Sequence, residues 1–242
     1  MFGPIESHEQ VDSTNAVAAE AARAGASEGL VVLAGTQTAG RGRLTRTWVS
    51  PPGSSIAMSV LLRPRRGGQD WGWLSLVAGL AVARGLDAIA PGAPVQLKWP
   101  NDVLIGGRKV CGILSERDDT PQGPAAVVGI GINVGLCEDE LPVPNATSLA
   151  LSGLPTDHDR VIASVLTEFE RAYADWQRDG HALAAYRERC SSIGADLTIT
   201  VDATTTIAGV GYDVDAAGRL VVSLPDGLRA FSVGDVVHAR LG

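Results

Sequence analysis

The chain has 242 residues, 45% of them hydrophobic, and a formal net charge of −7. That is enough apolar material for a sizeable core, in one large domain or one domain with a small appendage. The acidic balance argues against general nucleic-acid or membrane-surface binding, which favours basic faces. Cys111, Cys137 and Cys190 form no C-x-x-C and cannot all pair, as expected of a reducing, cytoplasmic compartment. The N-terminus lacks the basic start and apolar run of a secretory signal. The most apolar stretch, 73–83, is followed by Arg84 and Asp87 and falls short of the roughly 20 residues a bilayer requires.

In chain order, Ser13-Thr14-Asn15 precedes an alanine-rich helix over 16–24 that ends at Gly25. One residue suffices to cap a helix. Three hydroxyl or amide side chains in a row either cap it or present donors and acceptors to a small polar ligand. A short apolar strand at 30–34 is followed by an arginine-glycine loop, then a strand at 55–62 and a charged turn at 63–68. A long helix over 71–89, apolar nearly all round, belongs in the core. Strands follow at 95–99, 103–105 and 109–116, the last two joined by Gly106-Gly107 as a hairpin. The strand at 125–134 contains Gly129-Ile130-Gly131-Ile132-Asn133, and glycines inside a strand mark close backbone approach. An acidic loop covers 138–145. An amphipathic helix over 157–179 places Val161, Val165, Phe169, Ala172 and Trp176 on one face, and a short helix follows over 181–189. Beyond residue 193 the texture changes to short strands at 197–201, 205–214, 219–224 and 228–239. This is the pattern of a small all-β barrel and places a domain boundary near residue 193.

Two features point to chemistry. Gln37-Thr38-Ala39-Gly40-Arg41-Gly42-Arg43-Leu44-Thr45-Arg46 combines glycines, which let a backbone approach a ligand, with arginines, whose planar fork suits phosphate and carboxylate. Alone, it is either a solvated turn or a loop that closes on an anion. The second feature is lysine usage. Of 20 basic residues only Lys98 and Lys109 are lysines, eleven positions apart. Where arginine replaces every generic cation, a retained lysine marks a site needing a compact point charge. The four histidines show no ligand spacing, and no Rossmann, P-loop, H-E-x-x-H or G-x-S-x-G pattern is present.

The Ser-Thr-Asn start, the Gly40-Arg41-Gly42-Arg43 loop, Lys98-Trp99-Pro100-Asn101-Asp102, Arg108-Lys109-Val110-Cys111-Gly112-Ile113-Leu114 and Gly129 to Asn133 together resemble biotin–protein ligases over nearly the whole chain. The chain resembles the short bacterial form, with no N-terminal DNA-binding domain and no DNA-repressor role expected. The resemblance implies an α+β fold: a mixed β-sheet catalytic domain flanked by helices over 1–193, and an SH3-like all-β barrel over 194–242. It implies a two-step reaction in which biotin and Mg²⁺-ATP give biotinyl-5′-adenylate, and the biotinyl group then passes to a lysine of the biotin carboxyl carrier domain of acetyl-CoA carboxylase or a related acyl-CoA carboxylase. No DNA or membrane partner is implied.

The same resemblance assigns residues. Ser13, Thr14, Asn15, Gln37, Arg41, Gly42, Arg43 and Lys109 match biotin-binding positions, and Arg41, Arg43, Arg46, Trp48 and Asn133 nucleotide-binding ones. Lys109, Arg43, Lys98 and Asp102 form the catalytic set. Alternatives stay open at three of these. Trp48 covers the adenylate or packs in the core. Asp102 orients Mg²⁺ or helps deprotonate the acceptor lysine. Asn133 contacts nucleotide or holds a turn. The family loop commonly reads G-R-G-R-x-G-R, so Leu44-Thr45 is a departure that bears on loop closure. Lipoate–protein ligase and a non-catalytic biotinyl-adenylate-binding regulator remain rival readings.

Overall fold

The computed structural model describes residues 2–43, 46–179, 182–201, 204–232 and 235–238. Leu44-Thr45, His181 and the residue-239 end of the last expected strand lie outside them. The organising element is a seven-stranded mixed sheet. Its strands are β1 (Ile5–Val11), β2 (Val31–Gln37), β3 (Ser55–Leu62), β4 (Val95–Lys98), β5 (Asp102–Ile105), β6 (Arg108–Thr120) and β7 (Gly123–Asn133). They lie in the order β1-β2-β3-β7-β6-β5-β4. Only β1 and β2 run parallel; the other neighbours are antiparallel.

Side chains on a strand point alternately to opposite faces, and the core divides accordingly. Ile56, Met58, Val60 and Leu62 of β3 join the larger core, whereas Leu61 joins a second, smaller one. β3 is buried along its whole length because both faces are covered. The larger core is roofed by α2 (Trp73–Ile89) and α3 (His158–Asp179). The five apolar positions expected on one face of α3 are all buried there. The two helices approach closely at Gly85, where a Cβ would lie 3.0 Å from Val165. α4 (Leu183–Arg189) adds Tyr186 to this core.

The smaller core is covered by α1 (Thr14–Arg23) through Ala18 and Ala22. α1 ends in a Schellman arrangement: Gly25 at φ +99° lets Ala26 N–H reach Ala21 O and Gly25 N–H reach Ala22 O. This ten-residue helix shields only the Leu61, Ala125 and Val127 end of the sheet face. The neighbouring part of that face lies beyond it.

The C-terminal strands β8 (Asp196–Thr200), β9 (Thr206–Val214), β10 (Leu220–Leu224), β11 (Gly227–Phe231) and β12 (Asp235–His238) form a separate five-stranded antiparallel sheet. One strand expected over 228–239 is therefore two, with β11 on β10 and β12 on β8. This sheet packs on the rest without a break. Val214, Leu220 and Val222 share the main core with Trp73 and Trp99. The indole of Trp73 donates to Ala216 O (2.9 Å) and that of Trp99 to Gly218 O (3.0 Å), seating the turn between β9 and β10. The sequence reading has no counterpart to β1. Its exposed, charged residues carry little apolar alternation, and it exists by lying along β2.

Candidate active site

Next to α1, the exposed sheet face is carved out by missing side chains. A Cβ on Gly131 would sit 2.7 Å from the Trp48 ring and one on Gly112 3.0 Å from it, while one on Gly129 would collide with the Asn15 amide. With glycine at these places, Trp48 lies down against the sheet and a cavity of about 300 Å³ opens beneath the arginine loop. The indole N–H of Trp48 is buried and finds no hydrogen-bond partner among the described residues. Trp48 belongs to neither apolar core and lines the cavity.

One wall of the cavity is the start of α1. Thr14 lines it, and Gln37 Oε1 accepts from the Thr14 N–H (2.8 Å) and lies 3.1 Å from the Thr14 hydroxyl. Ser13 holds the N-cap position but makes no side-chain cap hydrogen bond. The Thr14 hydroxyl instead makes tertiary contacts. Ser59 Oγ lies 2.8 Å from Thr14 Oγ1 and donates to Asn15 Oδ1 at 2.6 Å.

The opposite wall comes from β4, β5 and β6. Lys109 Nζ and Asp102 Oδ1 form an ion pair at 2.6 Å, with side chains 25% and 17% exposed. The pair is thus only partly screened by solvent. Behind it lies Cys111, whose thiol burial pushes far above the usual range, outweighing the pull of the nearby ammonium. Lys98 lines the same space from the end of β4. The backbone of Lys109 is stitched to the following loop, donating to Asn145 O and accepting from Thr147 N–H, both at 2.8 Å. That loop brings Pro142, Val143, Asn145 and Ala146 to the rim, and β12 adds Val236. Among the described residues, the cavity lining contains four cationic side chains, Arg43, Arg46, Lys98 and Lys109, and one carboxylate, Asp102. Such a site favours a polyanion.

The loop is closed on itself by Gly42 N–H to Arg46 O (2.7 Å) and tied at its ends by Trp48 N–H to Gly40 O (2.8 Å). Arg43 Nη1 reaches Asn101 Oδ1 at 3.3 Å, and Asn101 Nδ2 in turn holds Ile113 O at 2.9 Å. On the other side of the loop is a second, more open cavity of about 490 Å³, lined by Arg41 and Glu116 and shared by Gly42, Arg43 and Arg46, which line both.

A family model for the Biotin/lipoate A/B protein ligase family matches residues 7–133, more than half of the chain. The chain belongs to this family. It is 40% identical to a biotin–[acetyl-CoA-carboxylase] ligase of Mycobacterium tuberculosis, over 96% of this chain and 87% of that one. It is 33% identical to the bifunctional ligase/repressor BirA of Bacillus subtilis, over 95% of this chain and 72% of that one. Among solved structures it resembles a biotin protein ligase from Aquifex aeolicus in complex with biotin and ATP. There the TM-score is 0.82 at 27% identity, covering 99% of this chain and 100% of that chain.

Of the residues that the biotin-ligase resemblance singles out, Thr14, Gln37, Gly42, Arg43, Arg46, Trp48, Lys98, Asp102, Lys109 and Asn133 line the one cavity. Ser13, Asn15 and Arg41 are not brought onto its wall. Ser13 and Asn15 are buried, and Arg41 turns to the outer cavity, where it pairs with Glu116 at 2.9 Å. Asn133 donates from Nδ2 to Thr147 O at 2.9 Å, so its amide holds the turn after β7. Sequence reasoning missed Asn101 and Glu116 as individual residues. Asn101 stood inside the lysine motif. Glu116 carried no signal, since its partners lie 75 and 101 positions away. Among the described residues, no helix is long and apolar enough to cross a membrane, and none of the side-chain groups forms a metal cluster of three or more His, Cys, Asp or Glu.

Proposed function

We infer that the protein is a ligase that activates biotin with ATP to biotinyl-5′-adenylate and transfers the biotinyl group to a lysine of a carboxylase's carrier domain. The observation that carries this reading is the cavity itself. In a chain of this family, it sets four cations and one carboxylate beside a hydroxyl-amide wall.

In the first step a biotin carboxylate oxygen bonds to the α-phosphorus, and the bond from that phosphorus to the bridging oxygen breaks, releasing pyrophosphate. Two anions must meet, so positive charge has to be fixed around them beforehand. Lys109 serves the carboxylate and then the phosphate of the mixed anhydride, because a point charge tolerates the change of geometry. Its ion pair with Asp102 holds the ammonium in place. Lys98, Arg43 and Arg46 face the phosphates. The ureido ring of biotin has one carbonyl acceptor and two N–H donors, and Thr14 and Gln37 are the matching partners. Trp48 covers the nucleotide side.

In the second step the neutral acceptor amine attacks the carbonyl carbon, AMP departs, and the amine loses a proton. We assign that proton to Asp102, a carboxylate that lines the cavity. Mg²⁺ fits this site as a passenger of the ATP phosphates, since it is usually held by one or two carboxylates together with substrate phosphates and the wall offers Asp102. When bound it adds charge neutralisation at the phosphates. The carrier domain of acetyl-CoA carboxylase or a related carboxylase is the acceptor. The cytoplasm, where all three cysteines stay free, is the compartment. We take 1–193 as the catalytic unit and 194–242 as a barrel whose Val236 reaches the cavity rim.

The test is ATP–pyrophosphate exchange with biotin and with lipoate in parallel, followed by transfer to a purified carrier domain. Exchange with biotin and labelling of one carrier lysine are expected. Exchange with lipoate alone would overturn the reading, and adenylate formation without transfer would make the chain a regulator.

A further inference from the structure

The arginine nearest the start of the loop does not face the cavity. Arg41 Nη2 meets Glu116 Oε2 at 2.9 Å on the loop's outer side. The same carboxylate oxygen accepts from Asn15 Nδ2 at 2.7 Å. Asn15 is 4% exposed, and its amide is fixed at both ends, since Oδ1 accepts from Ser59 Oγ at 2.6 Å. Ser59 is fully buried and lies 2.8 Å from Thr14 Oγ1. Thr14 is bound to Gln37 on the cavity wall. One unbroken path of hydrogen bonds thus joins the inner wall of the cavity to the outer face of the loop that covers it.

Chemistry orients this path. A carboxylate accepts only and a guanidinium donates only. Ser59 has one hydroxyl proton, and the acceptor-only Asn15 oxygen claims it, so the Thr14 hydroxyl turns its own proton to Ser59 and Gln37 is held by the Thr14 N–H. The Asn15 amide must then turn its NH₂ toward Glu116. Glu116 is the terminus that collects both the buried amide and the loop arginine. Half-exposed ion pairs usually contribute little, because both side chains lose freedom when they meet. Here the carboxylate is already held by a buried donor, so that cost is partly met before Arg41 arrives.

We propose that Glu116 is a positioning residue for the loop: acting through Arg41, it sets where the loop lies over the cavity and hence how long an acyl-adenylate is retained. The proposal rests on the ligase reading above. It gives Arg41, which is absent from the inner cavity's lining, a role different from its neighbour Arg43, which lines both cavities.

The experiment uses the full chain and four variants: Glu116→Gln, Arg41→Ala, the double variant, and Arg41→Lys. Glutamine keeps an acceptor for Asn15 and removes the charge opposite Arg41. Release of preformed biotinyl-adenylate, KM and kcat for biotin-dependent pyrophosphate exchange, and the thermal midpoint are measured for each. Glu116→Gln and Arg41→Ala are each expected to speed adenylate release and raise KM for biotin by about tenfold, with KM rising far more than kcat falls. The double variant is expected to be no worse than the worse single one, as for two residues acting as a unit. Arg41→Lys, which keeps the charge, is expected to recover most of the retention. Additive effects in the double variant would overturn the proposal. So would unchanged release, or a loss seen only in the thermal midpoint. Failure of the parent chain to exchange pyrophosphate with biotin would instead remove the ligase reading.

Discussion

The two walls of the cavity are built on opposite plans. The Lys109 wall is carried by β4, β5 and β6 at one end of the large sheet, backed by Val110, Cys111, Val103 and Trp99, all essentially buried. Its Lys109–Asp102 ion pair is placed by sheet register and by the loop stitched to Lys109 on both sides. The arginine wall hangs from the sheet by backbone bonds at its ends and by side-chain contacts to Asn101 and Glu116. The difference assigns the tasks. Forming an acyl–phosphate mixed anhydride requires charges fixed beforehand, which suits strands. Excluding water from a hydrolysable intermediate requires a part that can open for substrate, which suits a loop.

This contrast can be broken by experiment. Lys109→Ala should lower adenylate formation by at least about a hundredfold, since it removes a charge the reacting anions require; near-normal biotin-dependent pyrophosphate exchange would sink the assignment. Arg43→Gly should act on the other task, leaving adenylate formation measurable while release of the intermediate rises by roughly ten- to a hundredfold through loss of a loop cation. Trapping that intermediate on filtration as tightly as the parent does would contradict it. Gly131→Ala should lift Trp48 off the sheet, because the new methyl carbon would lie 2.7 Å from the indole. We expect affinity for the adenylate to fall by about tenfold, the cost of overpacking being of order one kcal/mol or more, with a shift in Trp48 fluorescence as a direct readout.

The smallest effect sharpens the same comparison by pH. Burial pushes the thiols of Cys111 and Cys190 and the phenol of Tyr186 above their usual ranges. All three therefore stay protonated in the folded chain, whereas the unfolded chain loses these protons from about pH 8.5 for thiols and about pH 10 for tyrosine. Their contribution to stability is complete below about pH 8.5 and declines as pH rises beyond it. The thermal midpoint should be flat between about pH 7 and 8 and fall by about pH 10, following the strand wall's neutral interior. A midpoint that rises through that range would contradict the burial of these groups.

How much of this was legible beforehand varied with the kind of signal. The apolar stripe of α3 and the run of α2 were visible because a helix writes its buried face at a fixed period. β1 was not, because Ile5–Val11 is an exposed edge whose reason for being a strand lies in β2. The strand glycines announced close approach, and the structure supplies what approaches: Trp48 at Gly112 and Gly131, Asn15 at Gly129. Lys98 and Lys109 stood out by composition and meet in one cavity. The direction of a side chain left no trace. Arg41 and Arg43 are two residues apart with the same chemistry, yet one lines the inner cavity and the other turns to Glu116. That choice depends on a carboxylate brought near by strand pairing, and no local pattern encodes it.

The three glycines under Trp48 and Asn15 have a consequence for how this site can change. A pocket lined by leucines or phenylalanines can be enlarged by trimming a side chain. At these three positions the floor is main chain, with nothing left to trim. Substitution at Gly112, Gly129 or Gly131 can only add atoms, so drift at these positions makes the chamber shallower, never deeper. Larger ligands must find their room elsewhere in the lining, at Trp48 and Leu114 or along Pro142 and Val143 at the rim, where side chains remain to be exchanged.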